Sequence, residues 1–413
     1  MTFALIESLN LGLGRLADAA HARGHDLHLL TADRSRYAFE LSQPSAASVT
    51  VTSVDTNDIT EIVAALRRIP TLAGVVRMTD QWTAQALAAA QALGLPHEDP
   101  EAVALLRDKG RLRDHLYRHG FSAVSSVTFE PLSVDPAELS RTLPFPCVIK
   151  DVSGSRSKDV WLVKESAELA PVLGEAARTV GARGGKITAE PYLLGPLYSA
   201  ETLTWGSETR LLGVTSRVVS AEPYFREEAG SFPVDFPEKT LRGLSDWVSA
   251  ILLSTGYREG FTHTEFIVTS HGFEIVEINP RLGGALIGEA IRQSLDVDVH
   301  DAYLDLALGQ RPALMDVLLE PRRGMAQVCV YAPRAGIFEG FTGTDLLPAH
   351  PGNPVLYPLR EAGAWIPSTT DQRGALAFLL AGGDTSELAF HHAVSAANKL
   401  GARMQTGDPA GDR

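Results

Sequence analysis

A chain of 413 residues is long enough for two or three domains and a large buried core, and its 45 % hydrophobic and 21 % charged content is that of an ordinary globular protein. The net charge of −13, with no Lys/Arg run to reverse it locally, argues against a nucleic-acid partner but leaves room for small anionic ligands. No stretch approaches the roughly 20 apolar residues of a membrane span, and the N-terminus lacks a signal peptide's basic region, so a cytoplasmic protein is expected.

The first hundred residues alternate apolar strand runs with Ala-rich helical ones: "FALIES", "GRLADAAHARG", "HDLHLLTAD", "ITEIVAALRRI", "LAGVVRM" and "QWTAQALAAAQALG". That βαβα order predicts a parallel sheet flanked by helices, assigned to residues 1–98. Gly12 and Gly14 lie near the first turn, but "NLGLGRLA" lacks the third glycine of a dinucleotide fingerprint, so no nucleotide site is assigned there. Asp99-Pro100 opens the next helix as N-cap and first-turn proline, and Gly120 closes it, which makes it the linking helix of a second unit, residues 99–320.

"CVIKDVSGSRSKDVWLV" then reads as strand, loop and strand. A helix ("AELAPVLGEAARTV"), a bent strand ("ITAEPYLLGPLYSAETLT"), a further strand ("TRLLGVTSRVV"), a Pro-bounded loop ("AEPYFREEAGSFPVDFPEK") and a helix ("TLRGLSDWVSAILLSTG") follow. From residue 321 to 404 the runs "GMAQVCVYAP" and "ELAFHHAVSAANKLGARM" predict a small C-terminal α+β cap, and the polar residues 405–413 read as a disordered tail. The fold class expected is therefore α/β and α+β. Cys147 and Cys329 each sit in an apolar strand-like run and are expected as buried hydrophobes under reducing conditions.

The densest signal is "HTEFIVTSHGFEIVEINPRLGG", residues 263–284, two strand-like runs around Ser270-His271-Gly272. With Thr269 opposite Phe273 across the loop, Glu265 faces Glu277. Directly opposed carboxylates repel. Asn279, two residues beyond Glu277, shares its face, so three oxygen ligands converge. A hard cation such as Mg²⁺ takes this set from one or two carboxylates plus substrate phosphates, and would offset the repulsion. Pro280 ends the ladder, and Arg281 projects a guanidinium beside the cluster.

Glu265 and Glu277, twelve positions apart, followed by "INPRLGG", resemble the metal-binding core of the ATP-grasp superfamily in its biotin-carboxylase branch. The likeness runs from about residue 95 to about 400, and the chain resembles a carboxylate–amine ligase of the L-amino-acid ligase kind. It implies an N-terminal pre-ATP-grasp domain, an ATP lid subdomain at about 122–195 and a metal-binding core at about 196–320. Its implied cofactors are ATP and Mg²⁺, two ions, with Mn²⁺ as a substitute.

By the same resemblance, Lys150 and Lys109 reach the nucleotide phosphates. Ser153, Gly154 and Ser155 belong to the loop that folds over them, a loop poorer in glycine than the family's. Glu190 accepts from adenine, with the backbone of Tyr192 and Leu193 beside it, while Glu201 stands either at the ribose or in a structural salt bridge.

The reaction implied is attack of a substrate carboxylate on the γ-phosphate, giving an acyl phosphate, then capture by an amine with release of ADP and phosphate. Arg281 holds the carboxylate or the transferring phosphoryl group. Glu228 pairs with a substrate ammonium and, like His263, is a candidate base. Arg226 takes an anion. Ser231 stands where relatives carry a histidine, which leaves the substrate open. Gly283 and Gly284 let backbone N–H groups approach an anion at a helix start. Ala285 leaves side-chain space where dipeptide-forming relatives place an aromatic.

The expected partners are small-molecule carboxylate and amine substrates, with a homodimer left open and no nucleic acid or membrane. Two alternatives remain: delivery of the acyl group to a carrier thiol or biotin-like cofactor, and a nucleotide-binding protein without chemistry.

Overall fold

The expected parallel sheet is present in the computed structural model, which describes residues 1–8, 11–154, 158–222 and 224–407. Strands β1 (Thr2–Ile6), β2 (Asp26–Thr31), β3 (Thr50–Ser53) and β4 (Leu72–Val76) pair in parallel in the order β3-β2-β1-β4. All five β1 residues are buried because both sheet faces are covered. Phe3 and Leu5 join one core with Leu13, Leu16 and Ala20, whereas Ala4 and Ile6 join another with Ile62, Leu66 and Ala89. Strand β3, "TVTS", was not anticipated, since a short polar edge strand carries no apolar run.

The single linking helix expected after Asp99 is two helices, Pro100–Arg107 and Lys109–Arg118. Asp108 breaks them: its backbone is extended (φ −89°, ψ 102°), and its side chain caps the second helix by accepting from Arg111 N at 2.9 Å. Lys109 N donates to Val152 O at 3.3 Å, and a side chain at Gly110 would run into Thr128 Oγ1. Lys109 thereby becomes the first residue of a helix aimed at the interior, where a continuous helix would carry it past.

A second sheet, β5 (Val127–Phe129), β6 (Cys147–Asp151), β7 (Val160–Val163) and β8 (Ile187–Pro191), is antiparallel in the order β5-β8-β6-β7. Its Cys147, Ile149, Ile187 and Ala189 pack against Leu169, Leu173 and Ala176 of the helix Leu169–Thr179. Strand alternation sends Val148, Lys150 and Glu190 to the other face.

The central sheet has eight strands: β9 (Leu197–Trp205), β10 (Glu208–Val219), β11 (Glu227–Phe232), β12 (Glu259–Thr269), β13 (Gly272–Asn279), β14 (Gly324–Tyr331), β16 (Val355–Pro358) and β18 (Ala375–Gly383). Their order is β13-β12-β9-β10-β11-β14-β18-β16. Part of the expected Pro-bounded loop is thus strand β11. The C-terminal α+β cap is present and continuous with the core, because β14, β18 and β16 extend the central sheet under the helix Ser386–Ala397. A small sheet of β15 (Gly336–Thr342), β17 (Trp365–Ile366) and β19 (Gly401–Gln405) completes it. The expected tail begins later than residue 405, since β19 includes Gln405; residues 408–413 lie outside the described residues.

The helix Glu238–Ser254 covers one face of the central sheet through Leu244, Val248 and Ile251 against Ala200, Phe266 and Ile278. On strand β12, residues 261, 263, 265 and 267 alternate onto the opposite face. Both cysteines are buried and unpaired, and among the described residues no helix is long and apolar enough to cross a membrane.

Gly213 sits at a register shift in β10 with φ +155°, and a Cβ there would lie 2.5 Å from Phe232 Cε2. Gly213→Ala combines a disfavoured backbone with overpacking. We expect it to destabilise the protein by about 2 kcal/mol or more, read as a lower urea midpoint at unchanged slope.

Candidate functional site

A cavity of about 480 Å³ lies between the four-stranded antiparallel sheet and the central sheet, closed on its other sides by the N-terminal sheet's loops and the cap. On its floor Glu265 and Glu277 are direct partners across β12 and β13. The pairing holds although the register at the hairpin end differs from expectation: Thr269 pairs with Gly272, not Phe273. A β-bulge between Glu265 and Phe266 absorbs the difference, leaving Val276 as the extra residue. Ile275 and Ile278 stay in the core below, while Val276, Glu277 and Asn279 all reach the cavity. The bulge also turns the Val276 carbonyl to Lys150 Nζ at 3.3 Å.

The repulsion between the two glutamates is offset within the protein. Lys109 Nζ stands 3.1 Å from Glu277 Oε2, and Arg217 Nη1 stands 3.0 Å from Glu265 Oε1. Burial pushes the Glu265 carboxyl up, but Arg217 and His263 hold it well below the usual carboxylate range. Burial pulls Lys109 down, yet Glu277 and Glu265 raise it overall, so it stays charged. Asn279 Nδ2 donates to Glu277 Oε1 at 2.9 Å, which leaves the amide oxygen as a further acceptor. Two carboxylates and an amide oxygen fit a hard cation whose remaining ligands are phosphate and water. No group of three or more His, Cys, Asp and Glu able to hold a metal occurs among the described residues.

The roof carries Lys150, 5 % exposed, with Nζ 2.5 Å from Glu190 Oε1. Glu190 Oε2 accepts from Arg113 Nε at 3.2 Å, and Arg113 also donates to Ile275 O. Burial pushes Glu190 up, but the two cations outweigh it and leave the carboxyl below its ordinary value. Lys150 moves down as well, by burial first, since Arg113 and Lys109 repel what Glu190 attracts. Of the two oxygens of Glu190, expected at adenine, one thus holds Lys150 and the other Arg113. Tyr192 and Leu193 line the cavity beside it, and Tyr192 N donates to Pro146 O at 3.0 Å. Gly154 also lines it and accepts from Lys109 Nζ at 2.5 Å. Ser153 turns back to Asp151 Oδ1 through its N–H, and Ser155 lies outside the described residues.

Four expectations, at Gly283, Glu228, Arg226 and Ser231, are corrected, and the open choice at Glu201 is decided by its partners. Glu201 is fully buried and absent from the cavity wall; its oxygens accept from His263 Nδ1 (2.7 Å), Ser199 Oγ (2.9 Å) and Gly283 N (3.0 Å). It takes the structural role, and the Gly283 N–H is spent on it, not offered to a substrate. Glu228 is the extra residue of a second bulge, in β11, and pairs with Arg226 at 3.1 Å away from the cavity. Glu227 takes its place on the wall, 3.3 Å from Arg217 Nη2. Arg226 lies over the Tyr331 ring at 4.1 Å and donates to Thr369 O, and Ser231 Oγ meets Ser216 Oγ at 2.8 Å, so neither lines the cavity.

Arg281 does line it, held by Asp80 of the N-terminal sheet's last loop and by Leu282 O at 2.8 Å. Gly284 and Ala285 form the wall beyond; Ala285 has φ +54° and also borders a second cavity of about 420 Å³. His263 is 3 % exposed. Burial pulls its imidazole down, but Glu201 and Glu265 lift it to about 9 against Arg217.

Lys109, Lys150, Glu190, Glu265, Glu277, Asn279 and Arg281 are therefore brought to one chamber from four segments of the chain. Arg217, Arg113, Asp80 and Glu227 were missed. A lone arginine inside the strand run "TSRVV" was the available hint for Arg217, but its facing depends on the register shift at Gly213.

Residues 143–289 match the family described as ATP-grasp domain, and residues 328–405 match L-amino acid ligase C-terminal domain 2. The chain is similar to uncharacterized protein y4rH of Sinorhizobium fredii, 26 % identical over 334 residues that cover 78 % of this chain and 66 % of that one. It is similar to carnosine synthase 1 of Mus musculus, 26 % identical over 318 residues that cover 72 % of this chain and 38 % of that one. The chain thus spans less than two thirds of the length of these relatives. Among solved structures, an L-amino acid ligase from Bacillus licheniformis has the same fold, with a TM-score of 0.83 at 20 % identity over 98 % of this chain and 99 % of that one.

The buried cluster and the corrected glutamate differ in their expected energetics. Glu190→Gln leaves Lys150 and Arg113 without their shared counter-charge and should destabilise the protein by about 3 kcal/mol. Glu228→Gln removes half of a part-exposed pair and should cost less than about 1 kcal/mol. Chemical denaturation of the two variants beside the parent compares them; equal midpoints would refute the assignment of the cluster.

Proposed function

We propose that this chain, which belongs to the ATP-grasp superfamily, is an ADP-forming ligase that activates a carboxylate, of the amino-acid class, and joins it to an amine. The observation that carries this reading is the in-register opposition of Glu265 and Glu277 in one cavity with Lys109, Lys150 and Arg281. Glu265, Glu277 and Asn279 would hold Mg²⁺, which when bound supplies neutralising charge to the β- and γ-phosphate oxygens.

The chain's own residues do the rest. Lys109 and Lys150 hold the phosphates, and the backbone near Tyr192 and Leu193 seats the adenine. Arg281, oriented by Asp80, presents the substrate carboxylate to the γ-phosphorus. A carboxylate oxygen forms the new bond to phosphorus as the bridge to ADP breaks, giving an acyl phosphate. The amine nitrogen then attacks the acyl carbon and inorganic phosphate leaves. Glu227, on the wall where Glu228 was expected, is the carboxylate for the amine's ammonium. The thiols take no part: burial pushes Cys147 up to about 11 and Cys329 up as well, keeping both protonated.

In this reading residues 1–98 form the pre-ATP-grasp domain, 99–320 the ATP-grasp domain and 321–404 the cap. An ATP-consuming enzyme with two unpaired buried thiols suits the cytoplasm.

A phosphate-release screen of amino acids, singly and in pairs with ATP and Mg²⁺, should find the substrates. Single-turnover mixtures should contain ADP and phosphate; AMP as the stoichiometric product would rule out the acyl-phosphate route. Glu277→Gln should lower turnover by about two orders of magnitude or more while the fold persists. Glu227→Gln should raise the KM of the amine substrate about tenfold or more, and Glu228→Gln should leave it within about threefold. The reverse ranking would restore Glu228 to the site.

A further inference from the structure

The cavity wall carries two arginines that no step above uses. Arg36 comes from the turn Arg34–Tyr37 after β2, and Arg360 follows β16 in the cap; both line the cavity. Every other lysine and arginine on the wall has a carboxylate within 4.0 Å. Among the described residues, neither Arg36 nor Arg360 has one. The Arg36 guanidinium lies over the Trp82 ring, 4.8 Å from its centroid, which fixes its position without neutralising its charge.

Arg360 Nε and Ser8 Oγ, on the same wall, are buried without a hydrogen-bond partner in the protein. Burial, and then the charge of Arg36, pull Arg360 below the ordinary guanidinium value. Two like charges brought together with donors unsatisfied is an arrangement that an anion would complete.

We propose that Arg36 and Arg360 bind a second anionic group of the substrate, a carboxylate or phosphate remote from the carboxylate that becomes activated. This deepens the ligase reading and rests on it for the activated end. Trp82, which carries Arg36, lies two residues from Asp80, the partner of Arg281, and all four residues line the one cavity. Lys150, by contrast, stands on the four-stranded antiparallel sheet. Two guanidinium groups offer planar, paired donors to a carboxylate or phosphate, and Ser8 and Gln81 line the same cavity.

The test uses the full chain with ATP and Mg²⁺ and two matched probe pairs, L-glutamate with L-glutamine and O-phospho-L-serine with L-serine, each offered with a panel of amino acids. ADP formation yields kcat/KM, and calorimetric titration of the same probes reports binding without turnover. The anionic member of at least one pair should be favoured about tenfold or more, and the pair with the larger ratio identifies carboxylate or phosphate. Arg36→Met and Arg360→Met should each reduce that ratio about tenfold, Arg360→Lys should retain part of it, and Arg360→Glu should turn the preference from L-glutamate toward L-lysine.

The proposal is overturned if no anionic probe is favoured by wild type in turnover or in binding, or if correctly folded variants leave the ratio unchanged. The two readings separate cleanly. Anion binding that depends on both arginines, without ADP formation, sinks the ligase and keeps the pair. ADP formation indifferent to both arginines does the opposite.

Discussion

Two carboxylates held face to face across one rung of a β-ladder are the constraint around which this protein is organised. Glu265 and Glu277 are direct partners, and apolar side chains beneath them keep the rung from slipping. Such a pair needs positive charge nearby. Lys109 and Arg217 supply it, and each is delivered by a local irregularity. The chain breaks at Asp108 so that Lys109 can start a helix inside the site. Strand β10 shifts register at Gly213 on its way to Arg217. A site that looks like a metal centre in isolation is thus a balanced ionic cluster before any metal arrives.

The same logic repeats outward. Glu190 ties Lys150 to Arg113, and Arg113 ties both to the backbone of β13. Glu201 ties His263 to the Gly283 N–H, joining the strand that carries Glu265 to the turn before Gly284 and Ala285. Buried charges in low dielectric are costly singly and rigid together. Their mutual satisfaction pre-positions donors that would otherwise have to be ordered when a polyphosphate binds. Against this background Arg36 and Arg360 differ in kind, since neither has a carboxylate within 4.0 Å among the described residues.

The parallel N-terminal sheet, the two-sided burial of its first strand and the paired glutamates were legible in the sequence because each rests on short-range periodicity. Phe3, Ala4, Leu5 and Ile6 read as a continuously apolar strand, and continuous burial is what two layers of helices impose. Glu265, Glu277 and Asn279 lie on two strands of one hairpin, so local pairing suffices to bring them together. The expected hairpin register was nevertheless off by one, and Glu265 met Glu277 only because the bulge at Val276 returned the missing step. Glu228 failed for the complementary reason: a bulge in β11 that no residue type announces left Glu227 facing the cavity.

The sequence by itself determined the fold class, the pairing of Glu265 with Glu277 in one hairpin, and the placing of Lys150 at the end of an apolar strand. These depend on residue chemistry and on spacings within one or two adjacent elements. Only the tertiary structure decided which charges neutralise which: Arg217 on Glu265, Arg113 on Glu190, Asp80 on Arg281, Glu201 on His263. Each of these pairs joins residues more than 40 positions apart, on separate strands, helices or loops. A strand's facing flips with a single inserted residue, and an ion pair forms only where two independent backbones converge to within about 4 Å. Neither condition leaves a mark on the residues before the chain has folded.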